Sequence, residues 1–340
     1  MSAERPETVP IIGEAPAFLE MLEHVSRAAP LTKPVLVIGE RGTGKELIAS
    51  RLHYLSPRWD QSLIKVNCAA LTESLLESEL FGHEAGAFTG AARTHIGQFE
   101  QSSGGTLVLD ELGTIPLRMQ EKILRVIEYG EFRRVGGSQT LVTDVRIVGV
   151  TNENLPELAA RGDFRADLLD RLAFDVIHVP PLRARAEDIP TLAYHFAVNL
   201  TSELKRPFFP GFSDDVTAQL LAASWPGNVR ELKNAIERSV YRSPEPSEPI
   251  EKIITDPFVS PFEEFAVATR ATTPETDDDA ASTPKQSLSL PLNFKEVVAD
   301  LERDLLEQAL NRSQHNQRIA AEFLTLSYDQ LRGLIRKYRT

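Results

Sequence analysis

Eight residues, Gly39-Glu40-Arg41-Gly42-Thr43-Gly44-Lys45-Glu46, carry the first legible chemistry of this chain. Their glycines let the backbone curl so that several N–H groups point at one anion. Lys45 adds a full charge for the β- and γ-phosphates of a nucleotide. An apolar run, Pro34 to Ile38, reads as a strand before the loop, and Leu47 to Leu55 reads as a helix after it. The helix N-terminus adds partial positive charge at the same place. Glu46 departs from the pattern G-x-x-x-x-G-K-[ST], standing where a hydroxyl would touch magnesium. The metal then leans on another carboxylate, on phosphates and on water.

A second set of groups sits at strand ends. The run Thr106–Leu109 leads into Asp110-Glu111, two carboxylates where open α/β sheets place their ligands. Beside a phosphate loop they divide the work: Asp110 holds magnesium, directly or through water, and Glu111 polarises the attacking water as general base. The next strand ends in Thr151-Asn152. Asn152 suits either a turn or a group that orients the water or senses the γ-phosphate. Asn67, at the end of the second strand, can hydrogen-bond Glu111 and restrain it if the fold brings the two together. Arg165 and Arg171 lie six apart on an expected helix rich in acids. Such arginines make surface ion pairs of little worth, yet phosphoryl transfer needs an arginine, which a neighbouring subunit can supply.

These groups need a scaffold. Strand-like runs at Val35–Ile38, Leu63–Cys68, Thr106–Leu109, Val145–Val150 and Asp175–Val179 alternate with helical patterns such as Phe18–Val25 and Gln120–Tyr129. That alternation predicts an α/β fold, a parallel sheet with helices on both faces, over residues 1–180. From 181 to 243 only helical stripes remain: Ile189–Leu204, Asp215–Ser224 and Val229–Tyr241. They predict a small helical lid, with Arg230 in the first turn of its last helix, where phosphate is attracted. Residues 244–290 carry seven prolines and ten acids against three bases, the composition of a linker.

The segment 291–340 turns helical again. Two short helices joined at Thr325-Leu326-Ser327 fit an all-α helix-turn-helix. From Asn311 onward there are six bases against two acids, a local excess on a chain of net charge −12. Tyr328, Arg332 and Arg336 face outward on the second helix, toward a major groove, and Arg318 and Lys337 flank them for phosphates. An ordinary helical hairpin with a charged face has the same pattern.

With 340 residues, 42% of them hydrophobic, the chain suits two or three domains. Its acidity confines nucleic-acid binding to a local patch. A single cysteine, Cys68, excludes an internal disulfide and fits a reducing, cytoplasmic setting. No apolar stretch is long enough to span a membrane.

One stretch makes no sense as packing. In Glu79-Leu80-Phe81-Gly82-His83-Glu84-Ala85-Gly86-Ala87-Phe88-Thr89-Gly90-Ala91, three glycines surround a lone Phe88 among small residues. It predicts an exposed, mobile loop whose aromatic tip calls for a partner that buries it. His83 and Glu84 lack a second histidine at ligand spacing, which argues against metal.

Residue for residue, Gly86-Ala87-Phe88-Thr89-Gly90-Ala91 resembles the signature loop of bacterial enhancer-binding proteins, the AAA+ ATPases that activate sigma-54 RNA polymerase. The phosphate loop, Glu46 included, is similar to that family's own form. Gly104 to Glu111 resembles its Walker B segment, Phe164-Arg165 through Asp170-Arg171 its arginine-finger region, and Trp225-Pro226-Gly227-Asn228-Val229-Arg230-Glu231-Leu232 its sensor II. The C-terminal segment resembles its Fis-type DNA-binding domain. Arg51-Leu52-His53-Tyr54-Leu55-Ser56, with only about ten residues before the ATPase module, is most similar to members that activate phage shock operons.

The resemblance implies a ring, commonly a hexamer, with ATP and Mg2+ between subunits. Gly39 to Glu46 would hold the nucleotide, Asp110 the metal, and Glu111 the water. Arg165 and Arg171 would act from the next subunit, and Arg230 would sense nucleotide from the lid. Asn67 would couple Glu111 to the loop, which would press Phe88 and Thr89 onto sigma-54 while the helix-turn-helix tethers the ring to upstream enhancer DNA. With no sensory domain, control would come in trans from a PspA-like negative regulator. Two other classes share these features: a ring ATPase remodelling a different protein, and a DNA-binding repressor with the ATPase fold as scaffold.

Overall fold

A computed structural model describes residues 10–258, 299, 302–303, 305–310, 313 and 316–338. The chain divides into two units, Met1–Pro261 and Phe262–Thr340. The part of the expected linker from 259 to 290 lies outside the described residues.

The first unit is built on five parallel strands: β1 (Val35–Ile38), β2 (Leu63–Asn67), β3 (Thr106–Asp110), β6 (Arg146–Thr151) and β7 (Val176–His178). Their order is β2-β3-β6-β1-β7. A two-stranded antiparallel hairpin, β4 (Glu131–Phe132) and β5 (Leu141–Val142), stands apart from this sheet. The central strands read as continuous apolar runs because both faces are covered. All six residues of β6 are buried. On one face, α1 (Pro16–Ala28) and α2 (Lys45–Tyr54) pack Phe18, Met21, Val25, Ile48 and Leu52 against Val35, Val37, Val108 and Val148. On the other, α3 (Glu73–Phe81), α4 (Gln98–Gln101), α5 (Leu117–Tyr129), α6 (Leu155–Arg161) and α7 (Ala166–Leu172) cover Leu36, Leu107, Leu109 and Ile147. The α/β sheet expected from the alternation is therefore present.

The two helices of the first face end on one side chain. Arg146, fully buried, donates to the carbonyls of Ala28 and Ala29 at 2.9 and 2.7 Å and to that of Leu52 at 3.4 Å. A guanidinium at two helix C-termini satisfies orphan carbonyls and opposes the helix dipoles. It fixes α2, and with it the loop that precedes α2.

The lid comprises α8 (Ile189–Glu203), α9 (Asp214–Ala222) and α10 (Asn228–Arg242), with a core of Leu192, Val216, Leu220, Trp225, Leu232 and Ile236. Residues 250–255, assigned by composition to the linker, lie against this lid. Ile250 bridges to Phe212, and Arg238 donates to the carbonyls of Ile254 and Thr255. Ile250 is buried and half-buried Ile253 packs on the lid core, which outweighs the local proline content there.

Within the second unit, α11 (Gln317–Phe323) and α12 (Tyr328–Tyr338) pack around Ala320, Ala321 and Leu331. Ser327 and Gln330 cap α12 reciprocally: Gln330 N donates to Ser327 Oγ and Ser327 N to Gln330 Oε1. Arg318, Tyr328, Arg332 and Arg336 are exposed. Lys337, expected to meet phosphates, ion-pairs with Glu302 at 2.9 Å. Among the described residues, no helix is long and apolar enough to cross a membrane.

Candidate functional site

In the sheet order, one strand separates β1 from β3. At ordinary strand spacing their carboxyl ends lie about 10 Å apart, so the glycine loop after β1 faces the acids after β3. Lys45, Asp110, Glu111, Arg41 and Arg230 line one cleft of about 220 Å³ with Gly42 and Gly44. Gly42 and Gly44 have φ of +78° and +95°, the left-handed region that lets the loop fold back onto the start of α2. The N-terminus of α2 has no side-chain cap, and such a helix end attracts anions.

Lys45 is only 8% exposed and donates to the Glu40 carbonyl at 3.0 Å. Burial pushes its ammonium below the ordinary value, while Glu111 and Asp110 pull the other way. Asp110 spends Oδ1 on the Glu111 amide at 2.9 Å. Glu111 has φ 54° and ψ 45°, a left-handed conformation that costs a non-glycine residue on the order of 1–2 kcal/mol. Strain of this kind at a strand end is held in place by its surroundings and aims the side chain. Glu46 lines the cleft too, and Lys65 of β2 pairs with it at 2.8 Å. Oxygen donors beside a phosphate cradle are the set magnesium takes; Asp110 fits that role.

A second cavity, about 650 Å³, adjoins the first and shares Gly44, Glu46, Leu47 and Arg230 with it. Part of its wall is apolar: Ile11 and Ile12 from the chain before α1, Phe18, Leu192, Phe196 and Val229. A charged end and an apolar end in continuity suit a nucleotide's phosphates and base. No sequence pattern marked these wall residues, since they look like ordinary core.

The lid closes on the loop through contacts that motif reading missed. Arg183 grips Glu40 with both Nη atoms, at 2.8 and 2.5 Å. Asn228 Nδ2 donates to Glu40 Oε2 and to the Arg41 carbonyl, and its Oδ1 accepts from Leu182 N. Arg183 first, then Asn228, hold the Glu40 carboxyl down at about 2. Arg230 N donates to the Gly42 carbonyl at 3.3 Å.

Other expected site residues lie elsewhere. Asn67 Oδ1 accepts from Ala69 N at 3.0 Å, and no Asn67–Glu111 hydrogen bond forms among the described residues. An asparagine at a strand end is satisfied by the free amide two residues on. Thr151 is buried and Asn152 Oδ1 is enclosed without a hydrogen-bond partner. Arg165 precedes α7 rather than sitting within it and pairs with Asp167, while Arg171 pairs with Glu128. Neither lines the cleft. Cys68 is buried, and burial pushes its thiol up to about 12.

The glycine-rich stretch starts later than expected, because Glu79-Leu80-Phe81 belongs to α3 and Gly82 ends the helix. The loop base is pinned: His83 and His95 exchange two backbone hydrogen bonds, and Glu84 N donates to the Val135 carbonyl. Arg134 of the β4–β5 hairpin pairs with Glu84 and Glu100. Beyond this base Gly86 N closes onto Ala91 O at 2.8 Å. Phe88 is 47% exposed and has one edge on the His83 ring, centroids 4.9 Å apart.

Comparison with known proteins extends this picture. The Sigma-54 interaction domain family matches residues 11–178, the AAA+ ATPase lid domain family residues 183–254, and the Fis family of bacterial regulatory proteins residues 297–338. The chain is 55% identical over 329 residues to the Psp operon transcriptional activator of Escherichia coli K12, covering 97% of this chain and 98% of that protein. It is 51% identical over 242 residues to the Nif-specific regulatory protein of Azospirillum brasilense, covering 70% of this chain and 38% of that one. The crystal structure of NtrX from Brucella abortus in complex with ATP superposes with a TM-score of 0.66 at 31% identity, covering 97% of this chain and 69% of that one.

Proposed function

This chain belongs to the Sigma-54 interaction domain family and is a sigma-54-dependent activator with an AAA+ domain and a DNA-binding helix-turn-helix; on that premise we propose that it hydrolyses ATP in the cleft between the glycine loop and Asp110-Glu111. The convergence of Lys45, Asp110, Glu111 and Arg230 on one cleft carries the reading. Lys45 and the loop amides from Gly39 to Glu46 bind the phosphates, and Arg230 reaches them from the lid. Asp110 would hold Mg2+, which supplies charge neutralisation to the phosphates when bound. Glu111 takes a proton from a water as its oxygen bonds to the γ-phosphorus, and the bond to the β,γ-bridging oxygen breaks. Asn152, whose Oδ1 has no hydrogen-bond partner, orients that water. Arg165 and Arg171 exchange Asp167 and Glu128 for the neighbouring subunit's phosphates in a ring, which we take to be a hexamer.

Hydrolysis drives the loop Gly86–Ala91. Phe88 and Thr89 press on sigma-54 and carry the polymerase from closed to open promoter complex. Arg318, Tyr328, Arg332, Arg336 and Lys337 hold upstream DNA. Likeness to the Psp operon transcriptional activator of Escherichia coli supports a psp operon as the target. A PspA-like negative regulator in trans, a role in stress response and action in the cytoplasm complete the proposal.

The test is open-complex formation on a sigma-54 promoter with ATP, comparing the native chain with Phe88→Ala. The native protein should melt the promoter, and the variant should hydrolyse ATP without melting it. Hydrolysis by both with melting by neither would leave an ATPase with a different target.

A further inference from the structure

The base end of the cleft holds two buried charges that the phosphate chemistry does not use. Arg185 is 4% exposed and Asp188 is 2% exposed. Arg185 sits at a kink, with φ −138° and ψ 48° inside an otherwise tight helical turn. Its guanidinium lies over the Phe18 ring at 4.4 Å and donates through Nη2 to the Thr43 carbonyl at 3.2 Å. Phe18, Thr43 and Arg185 all line the 650 Å³ cavity. Asp188 Oδ1 accepts from the amides of Glu14 and Ala15 at 2.7 and 2.9 Å, with Gly13 between these and Ile11 and Ile12 of the cavity wall.

The pair itself is loose. Arg185 Nη1 and Asp188 Oδ2 are 4.0 Å apart, and Arg185 Nε and Asp188 Oδ2 have no hydrogen-bond partner. Two buried ions held only this well are costly as a stability device. Burial also pushes the Arg185 guanidinium below its ordinary value. What the pair does accomplish is geometric. It ties three separate chain segments to one cavity: the stretch before α1, the glycine loop, and the entry to the lid. Gly13 shows how tightly, since a Cβ there would meet Asp188 Oδ2 and Phe18 Cδ1 at 2.6 Å.

We propose that Arg185, braced by Asp188, is a positioning residue for the base end of the nucleotide: it sets the Phe18 and Ile11-Ile12 walls against the glycine loop so that the cavity is formed before nucleotide arrives. This rests on the nucleotide reading of the cleft. It assigns Arg185 to binding rather than to the hydrolytic step, and so predicts a split between the two.

The experiment is binding of N-methylanthraniloyl-ADP and steady-state ATP hydrolysis by the full chain, as native, Arg185→Gln and Arg185→Lys. A charge-assisted hydrogen bond lost from the wall should raise Kd and KM about tenfold for Arg185→Gln, with kcat unchanged. Arg185→Lys keeps the charge but loses the planar fork; it should shift Kd in the same direction by less. Far-UV circular dichroism establishes that each variant is folded, and Arg185→Lys carries the test should Arg185→Gln unfold. A folded Arg185→Lys with native Kd and KM would overturn the proposal, as would loss of kcat at unchanged KM. If the native chain failed to bind the labelled ADP, the nucleotide reading would fall, and this proposal with it.

Discussion

The side-chain amide of Asn228, at the first turn of the last lid helix, donates to Glu40 Oε2 of the glycine loop at 3.0 Å. The same amide reaches the Arg41 carbonyl, and its oxygen accepts from Leu182 N. Asn228 is fully buried at φ 54°, a conformation asparagine tolerates better than other side chains. Asn228→Ala should therefore destabilise the first unit by about 2–4 kcal/mol, from an unpaired Leu182 amide together with left-handed strain. Urea denaturation followed by the fluorescence of Trp225, which is buried in the lid, would measure it. A loss within experimental error of zero would mean that the lid does not depend on this contact.

Glu40 makes the same latch sensitive to acid. Its carboxyl lies at about 2 in the folded protein, against an ordinary 4.5. A depressed carboxylate contributes stability that is fully present above the unfolded value and is lost as pH falls through the folded one. The stability difference between the native chain and Glu40→Gln should be flat at neutral pH and shrink between pH 4.5 and about 2. Thermal melts across that range would show it, and a difference independent of pH would contradict it.

Glu111 and Lys45 line one cleft but should separate in function. Glu111→Gln keeps the shape of the side chain and removes the base, so hydrolysis should fall on the order of 10²–10⁴-fold while labelled ADP still binds. Lys45→Ala should weaken binding itself. Phosphate release and nucleotide binding measured on both variants would separate the roles. Comparable hydrolysis in Glu111→Gln and the native chain would remove Glu111 from the chemistry.

How much of this was legible in the sequence follows from how local each feature is. The glycine loop and its flanking strand and helix are set by consecutive residues, so Gly39–Lys45 could be read directly. Asp110-Glu111 could be read as acids at a strand end. That β6 alone separates them from the loop could not, because strand order is fixed by contacts distant in sequence. Asn67 was read toward Glu111, but the amide of Ala69 is nearer along the chain and takes its oxygen. Arg165 carries helical spacing, yet the helix begins one residue later. Arg183, Arg185 and Asp188 belong to no periodic pattern; around the kink at Arg185, Arg183 stays exposed while Arg185 and Asp188 are buried.

The loop and the hairpin also meet at Gly136. A Cβ on Gly136, φ +74°, would stand 2.7 Å from Ala87 Cβ. Gly136→Ala must therefore push Ala87, and with it Phe88, away from its seat on His83. The nucleotide cleft is untouched by this change. ATP hydrolysis should persist while open-complex formation drops; equal loss of both would show that the substitution disturbs the subunit generally.

Gly42 and Gly44 separate backbone strain from lid docking. Both have positive φ, so an added Cβ costs each of them on the order of 1–2 kcal/mol. Around Gly44 the nearest atom to such a Cβ is Leu47 Cδ1 at 3.9 Å, an ordinary contact. At Gly42 it would meet the Gly227 carbonyl oxygen at 2.2 Å and Arg230 Cβ at 3.0 Å. The first of these is backbone and cannot swing aside. The lid must then retreat, which strains the Arg230 N to Gly42 O bond and the grip of Asn228 on the loop. Gly42→Ala should lower stability without nucleotide by clearly more than Gly44→Ala. It should also weaken nucleotide binding through Arg230. Gly44→Ala should leave the lid in place and act only on the phosphate cradle. Equal destabilisation of the two variants would show that the lid yields at no cost, and that its contact with the loop does not organise the site.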